Sequence, residues 1–141
     1  MTNPAASKYP QDKQPAIRLV MMPRDTNALG TIFGGVILSL IDLAAATEAH
    51  LYHPGRLVTV AFDQVEFRQP VFVGDLVSLF TDTLRVGRTS ITVSVSVWAQ
   101  RAEDRDQVVH VTEGRVTLVA VDSNLKPTEI VKRPKGDLGK G

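Results

Sequence analysis

Along this chain the apolar positions fall into two kinds of pattern, and the contrast between them predicts the fold. The cleaner is strict alternation in "TSITVSVSVWA" (Thr89–Ala99), where Ile91, Val93, Val95 and Val97 share one face and Thr92, Ser94, Ser96 and Trp98 the other. Period two over so long a run predicts a β-strand with one covered face. Comparable β-type segments are "AIRLVMM" (Ala16–Met22), "RLVTVAFDQVEF" (Arg56–Phe67), "DLVSLFTDTLRV" (Asp75–Val86) and "VVHVTEGRVTLVAV" (Val108–Val121), the last with Gly114 as a candidate bulge. The second pattern is an aliphatic run that starts near Gly34 or Gly35 and reaches about Leu51. It predicts the one helix, with Thr31 a candidate cap and "HPG" (His53–Gly55) the stop, since Pro54 cannot continue a helix.

Between these lie turn-rich stretches: Pro23–Phe33, the turn at Gly87–Arg88, and the charged "RAEDRDQ" (Arg101–Gln107). The order is therefore strand, helix, then four long strands, an α+β arrangement. Strands of ten or more residues exceed the usual ~5–6, and long antiparallel strands twist and curl. A helix apolar on every side needs cover on every side. These two facts together predict a long curved antiparallel sheet wrapped around one central helix. One small sheet covers such a helix only in part, so a second subunit is expected to complete the cover.

Composition narrows this little further. The 141 residues suit one domain, read as residues 16–122 between a flexible N-terminal tail (1–15) and a flexible C-terminal tail (123–141) rich in Lys and Arg. Net charge is +1, from 16 basic and 15 acidic residues, with no sign of a nucleic-acid surface. The absence of cysteine excludes disulfides, thiol nucleophiles and cysteine-based zinc sites. Residues 1–15 lack the apolar core of a signal peptide, and no stretch reaches the roughly 18–20 apolar residues of a membrane span. A cytoplasmic protein with no membrane partner is expected.

Candidate chemistry begins with Asp42, the sole ionisable residue between Gly34 and Thr47. A carboxylate among aliphatic neighbours is costly unless something uses it or hydrogen-bonds it. It can act as a general base if a polar cleft reaches it, or it can simply bond a neighbouring chain or a water. Gly34–Gly35 at the start of the helix leave backbone N–H groups uncovered, which suits an oxygen that becomes negative. Close packing of the helix on a strand would also select glycine. "VGRTS" (Val86–Ser90) offers Gly87 for a tight turn, the Arg88 fork, and the hydroxyls of Thr89 and Ser90, groups that suit a phosphate or an ordinary hairpin. Arg68 in "EFRQP" is a weaker phosphate candidate. His50 and His53 lie near Glu48, but their spacing matches no strong metal motif, so they read as exposed helix-end residues with no metal. His110 reads as an ordinary strand position.

"MPRDTNALGTIFGG" followed by "ILSLIDLA" resembles the hotdog-fold acyl-CoA thioesterases of the YciA and brain acyl-CoA hydrolase type. The likeness continues through "VTVAFDQVEFRQPVFVGDLV", "VGRTSITVSVSVWAQ" and "TLVAVD", covering roughly Arg18 to Asp122. The resemblance implies hydrolysis of acyl-CoA to free acid and CoA on a sheet wrapped round one helix. It implies Asp42 as the catalytic carboxylate and Asn27 as its partner across a dimer interface. It implies that the Val86–Ser90 turn contacts the nucleotide end of CoA, and that sheets join in a dimer, with a trimer of dimers the preferred assembly. No cofactor is implied, CoA being part of substrate and product. Thr31 stands where close relatives often have Asp or Asn, and Val36 where some have Trp. With no Ser-His-Asp set evident, the simplest route is attack by water with Asp42 as base, the Gly35 N–H as oxyanion donor and Asn27 orienting the water or the thioester. Attack by Asp42 itself, giving a mixed anhydride, stays open. Two other functions remain: a non-catalytic acyl-CoA-binding module, and a hydratase or dehydratase. The latter needs a His–Asp pair, and no histidine lies near Asn27 or in the first turns of the helix.

Overall fold

The computed structural model describes residues 9–133. Five strands, β1 (Ile17–Val20), β2 (Leu57–Phe67), β3 (Leu76–Val86), β4 (Ser90–Gln100) and β5 (Val108–Ala120), accompany one helix, α1 (Gly34–Ala49). They form a single antiparallel sheet in the order β1-β3-β4-β5-β2. The alternation in β4 does what its pattern predicts: Ile91, Val93, Val95 and Val97 are fully buried and form the core with Ile37, Ile41, Ala44, Ala45 and Ala49 of α1. The helix therefore buries one stripe, at spacings of four, three, one and four residues, against the concave face. Its opposite side stays open, with Leu43 58% exposed.

Several sequence expectations shift. α1 ends at Ala49 rather than Leu51, because Leu51 and Tyr52 turn back onto the carbonyls of Glu48 and Ala49. Its cap position is Phe33, without a side-chain bond, so Thr31 is not the cap. Gly114 is not a bulge: it pairs in register with Val95, and the extra residue lies on β2, between Asp63 and Glu66. Gly114 is instead a close-approach position, since a Cβ there would meet Val65 at 3.3 Å and Ile41 at 3.8 Å. Trp98, assigned to the polar face, does lie on the outer face but is buried, edge-on to Tyr9 and stacked on His110.

The stretch after Asp122, expected as a solvated tail, is hydrogen-bonded back onto the domain as far as Lys132, with most of its side chains exposed. Asp122 Oδ1 accepts the N–H groups of Asn124 and Lys126, closing a tight loop. The chain then runs back, with the Thr128 N–H donating to Ala120 O, Ile130 N–H to Arg88 O, and Lys132 N–H to Tyr52 O. Ile130 is buried in the main core. Residues 1–8 and 134–141 of the two tails lie outside the described residues. Among the described residues no helix is long and apolar enough to cross a membrane.

His53 is buried, contrary to the exposed position expected, and its Nδ1 accepts the Val131 N–H at 3.3 Å. Burial, and secondarily the nearby His50, hold its pKa below the ordinary 6.5. The unfolded chain therefore takes up this proton before the folded one does. The contribution to stability is present above about pH 6.5 and is lost as pH falls through the lower folded value. Thermal unfolding followed from pH 7.5 to 5 should show a falling midpoint, and His53→Gln, which keeps an acceptor but does not titrate, should flatten that slope.

Candidate active site

Gly35 and Asp42 are seven residues apart on α1 and so share one helix face, with Ser39 and Ala46 along the same stripe. That stripe meets the start of β2. Between them lies an open groove of about 600 Å³, walled by Leu40, Ala46, Leu57, Val58 and Leu118, with Ser39 and the paired Asp42 and Thr59 as its polar groups. Thr59 was not identified from sequence. Its hydroxyl donates to Asp42 Oδ1 at 2.5 Å.

The two acids of α1 differ in a way that separates structure from chemistry. Glu48 has both oxygens engaged, accepting from Thr81 at 3.1 Å and Thr83 at 2.6 Å on the inner face of β3. Among the described residues Asp42 has one hydrogen-bond donor, on Oδ1, and it lines a groove whose other walls are apolar apart from Ser39 and Thr59. A fully bonded carboxylate anchors a helix; one with a free oxygen at an accessible groove can accept a proton.

The glycines also separate. A Cβ on Gly34 would meet the Phe67 ring at 3.5 Å, an ordinary van der Waals contact, so Gly34 packs beside Phe67 without that ring demanding a glycine. At Gly35 nothing lies within 4 Å of that position, which removes packing on a strand as the reason within this chain. Val36 and Ile37 are the first residues whose N–H groups bond back, both to Phe33 O. Among the described residues the Gly35 N–H has no acceptor, and it points from the positive end of the helix.

Asn27 does not line the groove beside the Asp42 of its own chain. It sits in a loop that closes on itself: its Oδ1 accepts from Leu29 N at 2.8 Å and Thr31 N at 3.1 Å, and its amide nitrogen donates to Thr31 Oγ at 2.8 Å. One amide N–H is left over. The loop is tied to the helix start by Phe33 N–H donating to Asp25 O at 3.0 Å and by the Thr26–Ile32 bridge. Asn27 and the first turn of α1 are thus one rigid unit.

The turn at Gly87–Ser90 is a hairpin closed by Gly87 N–H to Ser90 O. Arg88 is exposed there and faces one carboxylate, Glu129, at 3.8 Å. Arg68 is held more heavily, 3.6 Å from both Glu66 and Glu113, with a 2.8 Å bond to His110 Nδ1. The turn and the Asp42 groove share no lining residue. A second hollow, of about 260 Å³ beside Phe72, contains Asp75 and Arg101, but these pair with each other at 2.6 Å. Among the described residues no three His, Asp or Glu side chains converge as for a metal.

Residues 29–104 match the profile of the thioesterase superfamily. An uncharacterised acyl-CoA thioester hydrolase of Haemophilus influenzae is 40% identical over 126 residues, 88% of this chain and 82% of that protein. The acyl-CoA thioester hydrolase YciA of Escherichia coli is 38% identical over 113 residues, 79% and 86% of the two chains. Among solved structures, a hexameric hotdog-fold thioesterase of Campylobacter jejuni superposes with a TM-score of 0.79 at 43% identity, covering 85% of this chain and 92% of that one. A sheet curled about one helix, a sequence profile and relatives matched over most of their length agree: the chain belongs to the thioesterase superfamily, among the hotdog-fold proteins of the YciA type.

Proposed function

We propose that this protein hydrolyses acyl-CoA to a free carboxylic acid and CoA, with Asp42 as general base. The observation that carries the reading is the Asp42 carboxylate at a largely apolar groove, with one oxygen held by Thr59 and the other without a donor among the described residues. The acyl chain lies along that groove. Water attacks the thioester carbonyl and passes a proton to Asp42. The oxygen, now negative, is stabilised by the Gly35 N–H. Collapse expels the CoA sulfur, which takes the proton back from Asp42, leaving acid and thiol.

Asn27 acts from a second subunit. Because its loop and the first turn of α1 are one unit, the partner's Asn27 brings its Gly35 N–H with it. With its oxygen used inside the loop, Asn27 acts as a donor, through its remaining N–H, to the thioester or the water. The second subunit docks at β2, a free edge of the sheet that exposes Val58, Val60, Phe62 and Phe67. Such an apolar edge on one chain is a template for another. The Campylobacter relative is hexameric, and a trimer of dimers is the assembly proposed here.

The β3–β4 turn, Gly87, Arg88, Thr89 and Ser90, takes the phosphate-bearing end of CoA. Arg88 is preferred to Arg68, whose fork is already flanked by two carboxylates and a histidine. Release of free thiol from acyl-CoA esters of graded length, read with a thiol-reactive dye, tests the function. Hydrolysis with a chain-length optimum is expected. Binding without thiol release would leave an acyl-CoA-binding module instead.

A further inference from the structure

The C-terminal segment crosses the β3–β4 turn and is fixed on both sides of Glu129. Thr128 N–H donates to Ala120 O and Ile130 N–H to Arg88 O, each at 2.8 Å, while the Ile130 side chain is buried in the core. Successive side chains of an extended segment point to opposite sides, so burying Ile130 turns Glu129 outward. There its carboxylate stands 3.8 Å from the Arg88 guanidinium, both side chains being largely exposed. A loose exposed pair adds little to stability. Its effect falls on whatever else the guanidinium binds, because an incoming anion must displace the carboxylate and then remain near it.

We propose that Glu129 is a built-in counterion for Arg88, occupying the guanidinium until a phosphate group of CoA displaces it and so weakening the hold on product CoA. This rests on the reading of the β3–β4 turn as the contact for the phosphate end of CoA. A phosphate monoester carries close to two charges and three acceptor oxygens, so it outcompetes one carboxylate where a singly charged anion does not. Glu129 thereby makes the turn selective for phosphate and speeds release of the thiol product.

The test uses CoA and pantetheine, which lacks the phosphates, as inhibitors of hydrolysis of an acyl-N-acetylcysteamine thioester by the full chain. Glu129→Gln keeps side-chain length and hydrogen bonding but removes the charge. It should lower the Ki of CoA by about 2- to 5-fold at low salt and less at high salt, leaving the Ki of pantetheine unmoved. In an Arg88→Ala background the same change should do nothing. An unchanged or raised CoA Ki in Glu129→Gln, a pantetheine Ki that moves in step, or an effect that persists without Arg88 would each overturn the proposal. If Arg88→Ala itself leaves the CoA Ki unchanged, the reading of the turn fails, a result distinct from a silent Glu129→Gln.

Discussion

Asp42→Asn should lower turnover by about 10²–10⁴-fold, the usual worth of a positioned general base. The amide has the size of the carboxylate, and Thr59 can still donate to its oxygen, so the groove keeps its shape. What disappears is the capacity to take a proton from water. Affinity for CoA should change little, because the turn at Arg88 shares no lining residue with the groove. Stability should hold or rise, since a neutral amide is easier than a carboxylate to keep among Leu40, Ala46 and Leu118. Steady-state kinetics and thermal unfolding on the same preparation decide the matter. Near-normal turnover in a less stable protein would make Asp42 a structural residue like Glu48.

The second large effect is recovery rather than loss. Asn27→Ala should also cripple the enzyme, partly through its missing N–H and partly because Leu29 N and Thr31 N lose their acceptor. Asn27→Asp keeps an oxygen for those two N–H groups, so the activity it still lacks reports on the outward donor. If each site takes Asn27 from one subunit and Asp42 from the other, co-expressed Asn27→Ala and Asp42→Asn chains should regain activity. Random pairing makes half the dimers mixed, each with one intact site of two, or about a quarter of wild-type activity. No recovery would place both residues in one chain's site. Light scattering that shows a monomer at micromolar concentration would remove the shared site altogether.

The sequence made the large features legible because single patterns decide them. β4 announces its two faces residue by residue, and the aliphatic run of α1 has no competing period. Asp42 stood out as a lone charge in that run. Thr59 did not, because its role depends on which residue of β2 faces the helix, and β2 has no clean alternation to read. The hydrogen-bonded segment after Asp122 was missed for a related reason: Lys126, Lys132 and Arg133 look like a solvated end. The anchor is the single Ile130, whose burial follows from tertiary contacts that no local pattern encodes. At Gly114 the sequence signal was real but its cause was misread, since the bulge lies across the ladder at Gln64, whose φ is 54°.

Residues paired across an antiparallel ladder point to the same side, so the partners of β5 reveal the inward residues of β2. Leu57 and Thr59 face inward with Ala120 and Leu118, Phe62 with Val116, and Phe67 with Thr112. The parity of the strand thus switches from odd to even after Val60 and back to odd after Gln64. Those two extra residues act as phase shifters, and they are what let Phe62 face the same side as Thr59 before it and Phe67 after it. Losing the codon for Val60 would keep every side chain that touches Asp42 in the sequence. It would also close the bulge, since Thr59, Ala61 and Phe62 already pair with the consecutive residues Leu118, Thr117 and Val116, so Thr59 would still face Asp42 and Phe62 the helix side. In this fold a one-residue gap at a bulge of β2 is therefore absorbed by the ladder, whereas a gap at Val58, where pairing is regular, turns either Leu57 or Thr59 out of the groove.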